Sequence, residues 1–86
     1  MANNGARRLS QLRRGECGVL ANIELPEVLA ERLMVMGFVP GVELRPAGGA
    51  PGGDPRVYRV DGAEVALRRD TADRLVLEAG VSNGHG

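Results

Sequence analysis

The chain contains no lysine and no tryptophan, one histidine, one cysteine, one tyrosine and one phenylalanine. Without lysine there is no Schiff-base chemistry and no P-loop lysine to reach a phosphate. Gly48 and Gly53 have the spacing of the outer glycines of such a loop, but Asp54 follows them and the reading fails. A single cysteine, Cys17, excludes an internal disulfide and a cysteine-only metal cluster within one chain, and it fits a reducing compartment. His85, the sole histidine, stands in a glycine-rich tail that holds it beside no nucleophile, so an enzyme is not expected. Long apolar runs are missing too. No stretch approaches the ~20 residues that span a bilayer, and no apolar run follows Arg7 and Arg8 as a secretory signal requires. A cytoplasmic location is expected. Excess charge is also absent: 11 basic residues, all arginine, balance 11 acidic ones. The chain therefore lacks the general positive field that supports non-specific nucleic-acid binding. Arginine pairs at 7 and 8, 13 and 14, and 68 and 69 have only Phe38 and Tyr58 beside which a base would stack.

What is present fits one small domain: 86 residues, 43% hydrophobic and 26% charged. A chain of this size buries only about 60% of the surface it exposes when unfolded, so the core is small and leaves no room for an enclosed active-site cavity. Residues 1–8 and 79–86 read as flexible ends, small, polar and glycine-rich, and 9–78 as the folded domain.

Within that domain the first leucines, Leu9 and Leu12, suit a short turn, and Val19 to Ile23 a strand. Leu25, Leu29, Leu33 and Met36 then recur at helical spacing and predict one helix over about 26–36, with its apolar stripe on the core. Pro26 suits its first turn, Gly37 a left-handed C-terminal position, and Pro40 prevents resumption. Val42 to Arg45 alternates like a strand, and residues 46–55, almost all glycine, proline and alanine, read as a mobile loop. Arg56 to Val60 and Ala63 to Leu67 flank Asp61-Gly62, a pair suited to a type I′ hairpin. Asp70 is expected to cap a single helical turn, and Leu75 to Leu77 to form a last strand. About five short strands with one inserted helix make a mainly β fold, a small barrel.

Candidate functional residues are few. Glu27 and Glu31 share a helix face, which suits a solvated carboxylate surface, as no histidine or cysteine joins them. Cys17 reads as a small, partly buried side chain. No metal site is expected within one chain; His85 is a weak candidate for a divalent ion bridged between two chains, and no other cofactor is implied. The helix carries a second stripe, Val28, Arg32 and Val35, beside the leucines. Since a small barrel covers one side of a helix, this stripe, with Met34 and Phe38, is expected to bind a partner.

Leu33-Met34-Val35-Met36-Gly37-Phe38-Val39-Pro40-Gly41-Val42-Glu43-Leu44 resembles the signature of the FeoA family of bacterial ferrous iron uptake. Leu9-Ser10-Gln11-Leu12, Gly15-Glu16-Cys17-Gly18-Val19, Gly53-Asp54-Pro55, Gly62 and Ala66-Leu67-Arg68-Arg69 with Ala72 and Leu75 resemble its flanks, so the likeness spans 9–78. The resemblance implies an SH3-like β-barrel with an inserted helix, whose structural motif here is Leu33, Met36, Gly37, Pro40, Gly41 and Gly62. It also implies a cytosolic accessory that binds and modulates FeoB, a membrane transporter with a cytosolic GTP-binding domain, and that reaches the membrane only through this partner. Met36 stands where the family more often has Leu. A homo-oligomer fits as well. The alternative is a regulatory module similar to the C-terminal domains of metal-dependent repressors, or a nucleic-acid-binding barrel; with no helix-turn-helix before the domain, the transport accessory is expected.

Overall fold

The computed structural model describes residues 7–79. A 3-10 turn at Leu9–Gln11 leads into β1 (Gly18–Ile23), helix α1 (Glu27–Val35), β2 (Glu43–Gly49), β3 (Arg56–Val60), β4 (Ala63–Leu67), the single turn α2 (Arg69–Ala72) and β5 (Leu75–Leu77). The strands form one five-stranded sheet in the order β4-β3-β2-β1-β5, with every neighbouring pair antiparallel. This is the mainly β fold that the strand spacing predicts.

β1 has two partners in succession. Gly18 and Val19 pair with β2, and Leu20 to Ile23 pair with β5 across a bulge between Leu20 and Asn22. A bulge bends and twists its strand, which lets one short strand join two parts of a curved sheet. On the other side of β5, Arg8 bridges Val76, and the Leu77 N–H donates to the Arg7 carbonyl at 2.7 Å. Arg7 and Arg8 are thereby joined to the sheet, two residues outside the domain bounds read from sequence.

The core takes the apolar face of each strand. Leu20, Leu44, Tyr58, Val60, Leu67, Leu75 and Leu77 are buried together with Leu9 and Leu12 from the first turn and Ala72 from α2. Glu43 and Arg45 point outward on either side of Leu44, as alternation along a strand dictates. Asp61 and Gly62 both have positive φ, 49° and 83°, which makes the β3–β4 connection the type I′ turn expected of that pair.

Two local expectations are corrected, on residues 46–49 and Asp70, while the helix expected over about 26–36 is found. Residues 46–49 are not loop but the second half of β2, paired with β3 through a bulge between Pro46 and Gly48. Glycine suits this: a Cβ on Gly49 would lie 3.2 Å from the Arg56 Cα and from the Pro55 carbonyl oxygen, a tight contact that would press the two backbones slightly apart. α1 starts after Pro26, which is its extended N-cap, and ends at Val35. Asp70 does not cap α2; the Asp54 carboxylate accepts from the Arg69 N–H at 3.0 Å, so the cap comes from the glycine-rich segment fifteen residues earlier.

Candidate functional site

α1 owes its termination to local geometry. Gly37 has φ of 108°, its N–H donates to the Met34 carbonyl at 3.0 Å, and the Phe38 N–H reaches back to the Leu33 carbonyl at 3.0 Å. These two bonds are a Schellman motif, in which a left-handed glycine satisfies carbonyls that would otherwise lack partners. Gly41, also at positive φ, donates its N–H to the Leu20 carbonyl at 2.7 Å and passes the chain to β2. The helix is thus tethered at its C-terminal end.

The rest of it is hardly covered. Leu33 is the one buried residue of α1, and Leu25 and Ala30 are half-buried. Leu29 and Met36, expected in the core stripe, stay 44% and 43% exposed. The physical reason is a full core: strand residues, the first turn and Phe38 already occupy it. Phe38 itself has no exposed surface, so the partner contact expected of it is corrected to a core role. Its aromatic ring follows the helix-ending glycine and is drawn inside with Leu33.

Val28 and Val35 are the most exposed apolar side chains, at 65% and 87%. At about 100° per residue they share one outward line, with Arg32 next to them and Met36 and Leu29 beyond it. The structure therefore brings together Val28, Arg32 and Val35 from the expected stripe and adds Leu29 and Met36. Met34, though exposed, falls on the opposite flank, separated from the valines by Glu27 and Glu31. The result is an apolar helix face centred on one guanidinium. The added residues were hidden by their own periodicity: helical spacing marks a shared face but not whether the sheet reaches it.

Among the described residues no three His, Cys, Asp or Glu side chains gather as metal ligands, and no polar or charged residue is buried. His85 lies outside the described residues, and Cys17 is half-buried. No helix among the described residues is long and apolar enough to cross a membrane. Glu16 and Tyr58 have shifted pKa values, both away from α1. The Arg7 guanidinium and then the Arg13 N–H hold the Glu16 carboxyl below its ordinary value, and burial pushes the Tyr58 hydroxyl up.

The family model of the FeoA domain matches residues 7–79. A Porphyromonas gingivalis protein, named as a fusion of Fe(2+) transport protein A with the Fe(2+) transporter FeoB, is 37% identical over 76 residues. That match takes in 88% of this chain but only 9% of the fusion protein. Iron(II) transport protein A of Clostridium thermocellum is 35% identical with a TM-score of 0.78, over 86% of this chain and 46% of that one. FeoA of Stenotrophomonas maltophilia, solved with zinc and described as a procaryotic SH3 domain protein, is 32% identical with a TM-score of 0.73 over 84% of this chain and 89% of that one. A manganese-dependent transcriptional repressor aligns with a TM-score of 0.74 over 92% of this chain and 45% of that one, but at 20% identity it shares the fold alone.

Proposed function

This chain belongs to the FeoA family, and from that premise we propose that it is a non-enzymatic accessory of ferrous iron uptake that binds a FeoB-type transporter on the cytoplasmic side of the membrane. The observation that carries this reading is the fusion: in a relative, a domain 37% identical to this chain shares one polypeptide with a FeoB transporter, which keeps the two together. The exposed face of α1 supplies the contact. Interfaces favour an apolar centre with arginine, and Val28, Val35, Leu29 and Met36 around Arg32 have that composition. Such a contact changes the transporter by binding one of its states more tightly than another, with no bond made or broken by the accessory itself.

The test is co-purification of the full chain with a FeoB-type transporter in detergent, using Val35→Ser and Arg32→Glu. Both residues are exposed, so thermal unfolding is expected to be unchanged while retention falls by about tenfold or more. Undiminished retention by both variants removes α1 as the contact. Failure of the unaltered chain to be retained removes the partnership.

A further inference from the structure

A second surface, built from elements other than α1, has the opposite chemistry. An open groove of about 440 Å³ runs between the first turn and the β2–β3 pair, with Leu12, Pro46 and Gly48 along it and Arg13, Arg14 and Arg56 around it. No carboxylate lines it. A small adjoining recess shares Ser10 and Arg56 with the groove and adds Arg69.

Four guanidiniums outside the groove are neutralised within the chain. Arg7, Arg8, Arg45 and Arg59 each pair with a glutamate of the chain. Among the described residues Arg13, Arg14, Arg56 and Arg69 pair with none, nor do Arg32, Arg68 and Arg74 outside the groove, and the carboxylates beside the groove accept hydrogen bonds within the chain. Glu16 accepts from the Arg7 side chain and the Arg13 N–H, Asp54 accepts from the Arg69 N–H, and Asp73 accepts from the Ser10 hydroxyl. Positive charge is thus left concentrated on one groove of a chain whose formal net charge is zero.

The groove is also held in shape. The Glu16 N–H donates to the Arg13 carbonyl at 2.9 Å, with Gly15 at φ of 90°, which closes the turn that carries Arg13 and Arg14. Arg56 donates one guanidinium N–H to the Leu12 carbonyl at 3.2 Å and keeps further donors for a ligand. Fixed donors lose less entropy on binding than free ones.

A planar guanidinium takes carboxylate and phosphate equally well, so the occupant is decided by what else the surface offers. Single-stranded nucleic acid is held by stacking bases as well as by charge, and here both aromatic rings are out of reach: Phe38 has no exposure and Tyr58 only 1%. A groove floored by half-buried Pro46 and Gly48 of β2 and rimmed by arginines suits an extended peptide instead. We propose that this groove binds an extended acidic segment of a partner protein, its carboxylates received by Arg13, Arg14 and Arg56. The site stands apart from the α1 contact and does not depend on it.

The experiment is a titration of the isotope-labelled full chain with a hexaglutamate peptide at low ionic strength, followed by NMR amide shifts. A neutral glycine-serine peptide and a single-stranded oligothymidylate serve as comparisons. Saturable shifts confined to Leu12, Arg13, Arg14, Gly48 and Arg56 are expected, weakened by salt and absent with the neutral peptide. Arg14→Glu, on an exposed turn, should reduce affinity about tenfold, and Arg13→Gln provides a second variant if the first alters the fold. The proposal is overturned if hexaglutamate gives no saturable shift, if its shifts scatter over all exposed arginines, or if affinity is unchanged in both variants. Tighter binding of oligothymidylate at the same amides would also overturn it, assigning the groove to a phosphodiester backbone.

Discussion

The Phe38 N–H donates to the Leu33 carbonyl at 3.0 Å, and the side chains of the same two residues both lie in the core. One short segment therefore ends the helix and anchors it. Because the anchor sits at the C-terminal end and the sheet residues fill the core without help, the remainder of α1 needs no further cover. Its exposed apolar face is a direct consequence of that economy, and it leaves Val28 and Val35 available to a partner.

Gly37→Val should destabilise the domain by about 1–3 kcal/mol, since a β-branched residue is strained in the left-handed region. Space adds little to this: a Cβ at Gly37 would lie 3.4 Å from the Val60 side chain, an ordinary contact. Thermal or denaturant unfolding measures the effect. A midpoint equal to that of the unaltered chain would show that φ of 108° is not held in solution.

Phe38→Ala and Val35→Ser should separate folding from binding. Removing the buried ring is expected to cost about 3–5 kcal/mol of stability, as large-to-small core changes do. Truncating the exposed valine should leave the unfolding midpoint within about 0.5 kcal/mol of the original and reduce only partner retention. Paired unfolding and co-purification measurements give both numbers. Equal losses of stability would mean that Val35 is covered in solution.

Gly18 is required by proximity rather than by its dihedral angles. A Cβ there would lie 2.8 Å from the Leu77 Cδ1, and Leu77 is only 1% exposed within the core, so its side chain must shift against its neighbours. Gly18→Ala should cost about 1–3 kcal/mol through overpacking, and adding Leu77→Val should recover part of it. A double-mutant cycle by denaturant unfolding reads the coupling, and simple additivity of the two losses would refute the contact.

The Arg7–Glu16 pair makes stability depend on pH in a defined direction. Hydrogen bonds from Arg7 and from the Arg13 N–H hold the Glu16 carboxyl below its ordinary 4.5, so the folded state binds its proton more weakly than the unfolded state does. The resulting stabilisation is complete above the ordinary glutamate range and is lost as the pH falls through the depressed folded value. Unfolding midpoints of the original chain and Glu16→Gln should differ at neutral pH and converge in acid. Parallel curves across that range would remove the pair as a source of pH dependence.

Local patterns determined much of this protein. Asp61-Gly62 specified its hairpin because few residue pairs accept two positive φ values, and Gly37 marked the helix end for the same reason. Alternation in Val42 to Arg45 and the apolar Leu75 to Leu77 marked strands, since a half-buried strand has to alternate and a covered one does not. The family was likewise legible in the residues around Gly37. Tertiary structure decided what periodicity leaves open. Helical spacing put Leu29 and Met36 with Leu33 on one face, but how far the sheet extends over that face is a matter of core volume, and it stops at Leu33. Backbone pairing carried β2 through Pro46 to Gly49, where no side-chain pattern signals a strand. The arginine groove was invisible for a third reason. Arg56 stands more than forty residues from the adjacent Arg13 and Arg14, and only the packing of the first turn against β2 and β3 brings their charges together.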